Sequence, residues 1–167
     1  MVAVATNRPS SGGAAYARER SIPLAELSQK AFASVEERDA AMRDFFIKHR
    51  VELVVDAGYD RVHSSPMLDE FRGRIINVHP SLLPAFAGGM DAVEQALAAG
   101  VKQTGATVHV VTDALDAGPI LVQEAVPIFE GDTADTLRQR VHEAEYRLLP
   151  AAIRMMEKRL ANSAALG

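Results

Sequence analysis

Apolar positions along this chain follow two rhythms. Val2 to Ala5, Val51 to Val55, Arg74 to Val78, Thr104 to Thr112 and Ile120 to Ile128 are short apolar or alternating runs that predict strands. Ile22 to Leu24 predicts a further short strand. Between them the spacing lengthens to that of helices. A weak helix is predicted over Ala14 to Arg20, and a stronger one opens at Ser34, where Glu37 completes a capping box. Met42, Phe45 and Phe46 form its apolar stripe, which runs to His49. Ser65-Pro66 starts a short helix, with proline at the first helical position, and Gly73 ends it. Asp91 with Glu94 predicts a second capping box, on a helix stopping at Gly100. The last helix begins near Asp132 and is lined by Leu137, Val141, Leu148 and Leu149; Pro150 is expected to kink or divide it. Strands alternating with helices imply an α/β sheet covered on both faces. The last two strands follow each other closely, so an antiparallel edge is expected.

Composition narrows the class. The 167 residues suit one domain, with 48% hydrophobic and 24% charged residues as in ordinary globular proteins. A net charge of −4 without any basic run gives no electrostatic case for nucleic acid or an anionic membrane. The absence of cysteine excludes disulfides and thiolate chemistry. The N-terminus does not read as a signal peptide, and no run approaches the ~18 apolar residues of a membrane span, so a cytoplasmic protein is expected.

Candidate chemistry concentrates at strand ends. Asn77 and His79 are two apart on one strand and so share a face, and Pro80 holds His79 extended. Ligands in open α/β sheets bind beyond the carboxyl ends of the strands, which is where this pair falls. An amide can stabilise an oxyanion and an imidazole can shuttle a proton. Taken alone, Asn-x-His-Pro more often caps a turn. Asp113 and Asp116 follow another strand, either as turn residues or as carboxylates orienting His79. His109 lies mid-strand with Thr107 and Val111 on its face, and reads as structural rather than catalytic. A metal site built from His79, His109, Asp113 and Asp116 is an alternative without compact motif spacing. Ser10-Ser11-Gly12-Gly13 has neither G-x-G-x-x-G nor a Walker lysine and reads as an ordinary strand-to-helix turn.

In combination, Asn77-Val78-His79-Pro80-Ser81-Leu82-Leu83-Pro84, Gly105 to His109 and Asp116 to Ile120 resemble the folate-dependent formyltransferases. The resemblance covers nearly the whole chain and is nearest to the branch that formylates glycinamide ribonucleotide in purine synthesis. It implies a Rossmann-like three-layer fold with a mostly parallel sheet, present as a single formyltransferase domain over residues 1–167. It implies transfer of the formyl group of 10-formyltetrahydrofolate to the substrate amine without a metal. Asn77 matches the oxyanion stabiliser, His79 the proton-transfer residue and Asp116 the carboxylate that raises the His79 pKa. Asp60, Arg61, Val62, His63, Val111 and Asp113 match folate-contacting positions. Gly58, Val78, Pro80 and Glu145 match positions near the nucleotide substrate. No nucleic acid or membrane partner is implied, and the assembly is monomer or homodimer.

Two departures from the family pattern are expected to matter. The family's first strand, its phosphate-binding turn and the following helix have no counterpart in these 167 residues, which implies an N-terminally truncated chain. Phe86-Ala87-Gly88-Gly89-Met90-Asp91 replaces a Pro-Gly and histidine pattern, and Asp60 stands where an apolar residue is common. Alternatives are formyltetrahydrofolate hydrolase, which uses water as acceptor, and a catalytically inactive fragment or binding module. Methionyl-tRNA formyltransferase is disfavoured because it needs a C-terminal RNA-binding domain.

Overall fold

A computed structural model describes residues 1–89 and 91–165; Met90 of the glycine-rich segment, Leu166 and Gly167 lie outside the described residues. The polypeptide divides into two compact units. One comprises residues 1–54 and 61–72, the other residues 55–60 and 73 onward.

In the first unit, β1 (Val4–Thr6) pairs in parallel with β2 (Leu24–Glu26), and α1 (Gly12–Glu19) connects them. Ser11 caps α1 by accepting from Ala14 N–H, as expected for a strand-to-helix turn. α2 (Val35–Lys48) is capped by Ser34, which accepts from Glu37 N–H. The reciprocal bond shifts by one residue, with Glu37 accepting from Ala33 N–H. Arg38 and Asp39 are buried neighbours on α2. The Asp39 carboxylate accepts from the Arg38 guanidinium, from Ser64 N–H at 2.6 Å and from the Ser64 hydroxyl at 2.9 Å. These bonds anchor the start of α3 (Ser65–Glu70) to α2 and compensate a carboxylate that would otherwise be costly to bury.

In the second unit, β4 (Ile75–His79), β5 (Gln103–Val110) and β6 (Ile120–Pro127) form the sheet in the order β3-β4-β5-β6, where β3 is Val54–Asp56. The antiparallel edge expected from the close succession of the last two strands is present as β5–β6, and β4–β5 runs antiparallel as well; local periodicity identifies a strand but carries no information on its direction. A bulge falls between Val108 and His109, where β6 carries one residue more than β5.

α4 (Ala92–Ala98) starts at Asp91 without the expected capping box, since Asp91 Oδ1 accepts from Gln95 Nε2 instead. α5 (Ala134–Ala164) is capped by Thr133 and Thr136 and continues through Pro150, so the proline does not divide it. Leu137, Val141, Ala144, Leu148, Ala152 and Met156 recur at steps of three and four and are buried. No helix among the described residues is long and apolar enough to cross a membrane.

Candidate active site

The site is built on the central strands of the second unit. Asn77 pairs with His109 across β4 and β5, and His79 pairs with Thr107. Because side chains alternate, these four project from one face, while Ile76, Val78, Val108 and Val110 point to the other. Thr107 and His109 are buried, and so is His79.

Asp116 reaches this face from the loop between β5 and β6. That loop doubles back tightly, with Val110 N–H donating to Pro119 O at 2.9 Å. Gly118 permits the close approach, since a Cβ there would lie 1.8 Å from the Val110 carbonyl oxygen. Asp116 itself adopts a left-handed backbone (φ 51°), a conformation that Asp tolerates better than most residues. Its side chain is only 7% exposed. Asp116 Oδ2 lies 3.5 Å from His79 Nδ1, and Oδ1 lies 3.5 Å from His109 Nε2. Gly88 N–H donates to Asp116 Oδ2 at 2.8 Å.

The hydrogen bonds assign the protons. The Val110 carbonyl can only accept, so His109 Nδ1 donates to it at 3.1 Å. Burial lowers the His109 pKa more than the Val110 carbonyl and the Asp116 charge raise it, so the ring is neutral at neutral pH and Nε2 is an acceptor. Asn77 Nδ2 lies 3.3 Å from that nitrogen and donates one hydrogen to it. Among the described residues the second Nδ2 hydrogen has no acceptor and can meet an incoming oxygen. His109 thereby fixes which way the Asn77 amide points. For His79, Nε2 donates to the Phe86 carbonyl at 2.9 Å while Nδ1 faces Asp116. The arrangement can polarise a carbonyl at Asn77 and move a proton at His79.

His109 reads from sequence as a structural mid-strand residue, and the structure places it beside Asn77 and Asp116. Thr107-x-His109 repeats the polar spacing of Asn77-x-His79, but only the cross-strand register brings the two pairs together. Phe86 and Gly88, from the glycine-rich segment, also contact the cluster. Among the described residues no group of three or more His, Asp and Glu side chains is arranged to hold a metal ion.

The other positions singled out from sequence are spread more widely. Gly58 and Asp60 follow β3, Val78 and Pro80 sit on and after β4, and Val111 and Asp113 follow β5. Glu145 is on α5 with its side chain 16% exposed, and burial pushes its pKa up to about 7. His142 Nε2 is 3.9 Å from its carboxylate. Arg61, Val62 and His63 belong to the first unit. There Arg61 and Val62 are exposed, whereas His63 is buried with Nδ1 4.0 Å from Asp39.

Comparison with known proteins bears on this arrangement. Residues 1–153 match the formyl transferase family. This chain belongs to that family. It is 42% identical over 135 residues to phosphoribosylglycinamide formyltransferase of Bacillus subtilis, covering 81% of this chain and 69% of that protein. It is 44% identical over 156 residues to the trifunctional purine biosynthetic protein adenosine-3 of Drosophila melanogaster. That match takes in 93% of this chain but only 12% of the length of the fly protein. The crystal structure of glycinamide ribonucleotide transformylase 1 from Symbiobacterium toebii superposes with a TM-score of 0.91 at 42% identity, over 95% of this chain and 74% of that one.

Proposed function

We infer that this formyl transferase family member moves the formyl group of 10-formyltetrahydrofolate to the amine of glycinamide ribonucleotide, a step of purine biosynthesis. The observation that carries the reading is the cluster of Asn77, His79, His109 and Asp116 on one face of the sheet. Asn77 donates its free Nδ2 hydrogen to the formyl oxygen as the amine attacks the carbon and the new C–N bond forms. His79 takes the proton released by the attacking amine. Asp116 holds the ring and stabilises the imidazolium by its charge. Collapse of the tetrahedral centre breaks the bond to N10 of the folate, and His79 returns the proton to that nitrogen. Atoms and charge balance without a metal or a covalent enzyme intermediate.

Within the second unit, Asp60, Val111 and Asp113 are the candidate folate contacts. Gly58, Val78, Pro80 and Glu145 are the candidate nucleotide contacts, with Glu145 accepting from the substrate amine. The net charge of −4 without a basic run offers no electrostatic footprint for a nucleic acid partner.

The test mixes purified chain, 10-formyltetrahydrofolate and glycinamide ribonucleotide and follows release of tetrahydrofolate. Release dependent on the nucleotide is the expected result. Release indifferent to the nucleotide identifies a hydrolase, and no release from a folded sample identifies a binding module; either result rejects the reading.

A further inference from the structure

Gln123 lies on β6 directly opposite Thr107, which itself lies opposite His79. The three residues form one cross-strand row. Although Gln123 is an exposed residue of this strand, its amide turns inward. Nε2 donates to Thr107 Oγ1 at 2.8 Å and to the Leu83 carbonyl at 3.1 Å. The carbonyl can only accept, so the amide orientation is unambiguous. The Thr107 hydroxyl is then saturated, because it also accepts from Leu83 N–H at 3.2 Å and donates to the Ser81 carbonyl at 2.7 Å. Three backbone groups of the Ser81–Leu83 turn are therefore fixed by two side chains.

That turn leads directly to the groups touching the catalytic cluster. The Ser81 hydroxyl donates to the Ala85 carbonyl at 2.6 Å, and Ala85 N–H donates to the Leu82 carbonyl at 2.9 Å. The next residue supplies the Phe86 carbonyl to His79, and Gly88 N–H follows at Asp116. The chain of bonds runs from Gln123 through Thr107 and the turn to both His79 and Asp116.

We propose that Gln123 is a positioning residue for formyl transfer, holding the 81–88 segment so that His79 and Asp116 keep their geometry. This rests on the proposed transferase activity. Gln123→Met preserves length and removes both donors, and its exposed site makes folding tolerant of the change. Turnover should fall about 10- to 100-fold, the cost of a misplacement near 1 Å, with KM for both substrates within about threefold. Thr107→Val should show a similar loss, Thr107→Ser should retain activity, and the double variant should be no worse than the weaker single one.

Two readouts do not need activity. Amide exchange at Leu83, Ala85 and Gly88 should accelerate at least about tenfold in Gln123→Met, while that of Val108 and Val110 in the same sheet stays unchanged. The His79 ring nitrogen resonances should shift. Unchanged exchange at Gly88 together with unchanged His79 resonances overturns the proposal. So does an unchanged kcat, a raised KM at constant kcat, or faster exchange spread over the whole sheet. If the unsubstituted chain transfers no formyl group, the functional reading fails, and the exchange and resonance measurements still decide the role of Gln123.

Discussion

Gly118→Ala tests whether the tight return of the β5–β6 loop places Asp116. The Cβ it adds would sit 1.8 Å from the Val110 carbonyl oxygen and 2.9 Å from its carbon. Ordinary contact begins at 3.4 Å, so the two backbones must separate by about 1.6 Å. Neither partner is a flexible side-chain end that could swing aside. The strain should cost about 3 kcal/mol, the upper end of overpacking penalties. For a chain of this size that lowers the melting midpoint by roughly 6–12 °C. The same displacement would break the 3.5 Å approaches of Asp116 to both histidines, two residues upstream. Turnover should therefore drop about 100-fold even at temperatures where the variant is fully folded. Gly13→Ala is the control, because a Cβ there meets nothing within 4 Å. It lies near the start of α1 and should be neutral or stabilise by up to about 1 kcal/mol. Calorimetry and tetrahydrofolate release are measured on both. A Gly118→Ala protein with an unchanged midpoint and normal turnover would refute the argument.

Two further outcomes are expected. Asp116→Asn suits the left-handed backbone and removes only the charge, so it and His79→Ala should each reduce turnover by about 10²–10⁴ with an unaltered circular dichroism spectrum; a near-normal rate in either removes its assigned role. Burial raises Glu145 from an ordinary 4.5 to about 7, so the folded chain holds a proton that the unfolded chain releases, and stability falls as pH rises across that window. Glu145→Gln should leave urea unfolding unchanged near pH 4.5 and add roughly 2 kcal/mol at pH 8, after allowance for solvent screening of a half-buried group. His142 Nε2 lies 3.9 Å from the Glu145 carboxylate, so the pair of measurements is repeated with His142→Ala; an equal gain at both pH values contradicts the assignment.

The sequence was most legible where periodicity and chemistry coincide. Ile75-Ile76 followed by Asn77 and His79 marks a buried strand presenting polar groups at its end, and β4 does so. Leu137 and Val141 mark the inner face of α5 for the same reason. Legibility ended where the outcome depends on partners distant in the chain. The antiparallel direction of β5 against β4 has no local signature. Asp91 had the composition of a capping box, but its carboxylate met Gln95 first. Pro150 interrupts the helical bonding pattern, yet continuous burial of Leu148, Ala152 and Met156 on either side keeps α5 in one piece. His109 has apolar neighbours in sequence, and only its cross-strand pairing with Asn77 reveals that it faces Asp116. The glycine-rich segment gave no sequence clue that the Phe86 carbonyl and Gly88 N–H would meet His79 and Asp116.

The left-handed backbone of Asp116 has a consequence for how the site comes apart. Asn77, His79 and His109 are carried by paired strands, and exposing them requires opening the middle of a sheet, an event close to global unfolding in free energy. Asp116 is carried by a loop held by the Gly88 N–H, by the bond from Val110 N–H to the Pro119 carbonyl and by the approach of its carboxylate to His79. Its detachment is a local event of much smaller free energy. Rising temperature or denaturant should thus separate the anion from the two imidazoles while the strands still hold. The chain then passes through a folded state that keeps its oxyanion donor and has lost its counter-charge, so loss of turnover precedes loss of the sheet.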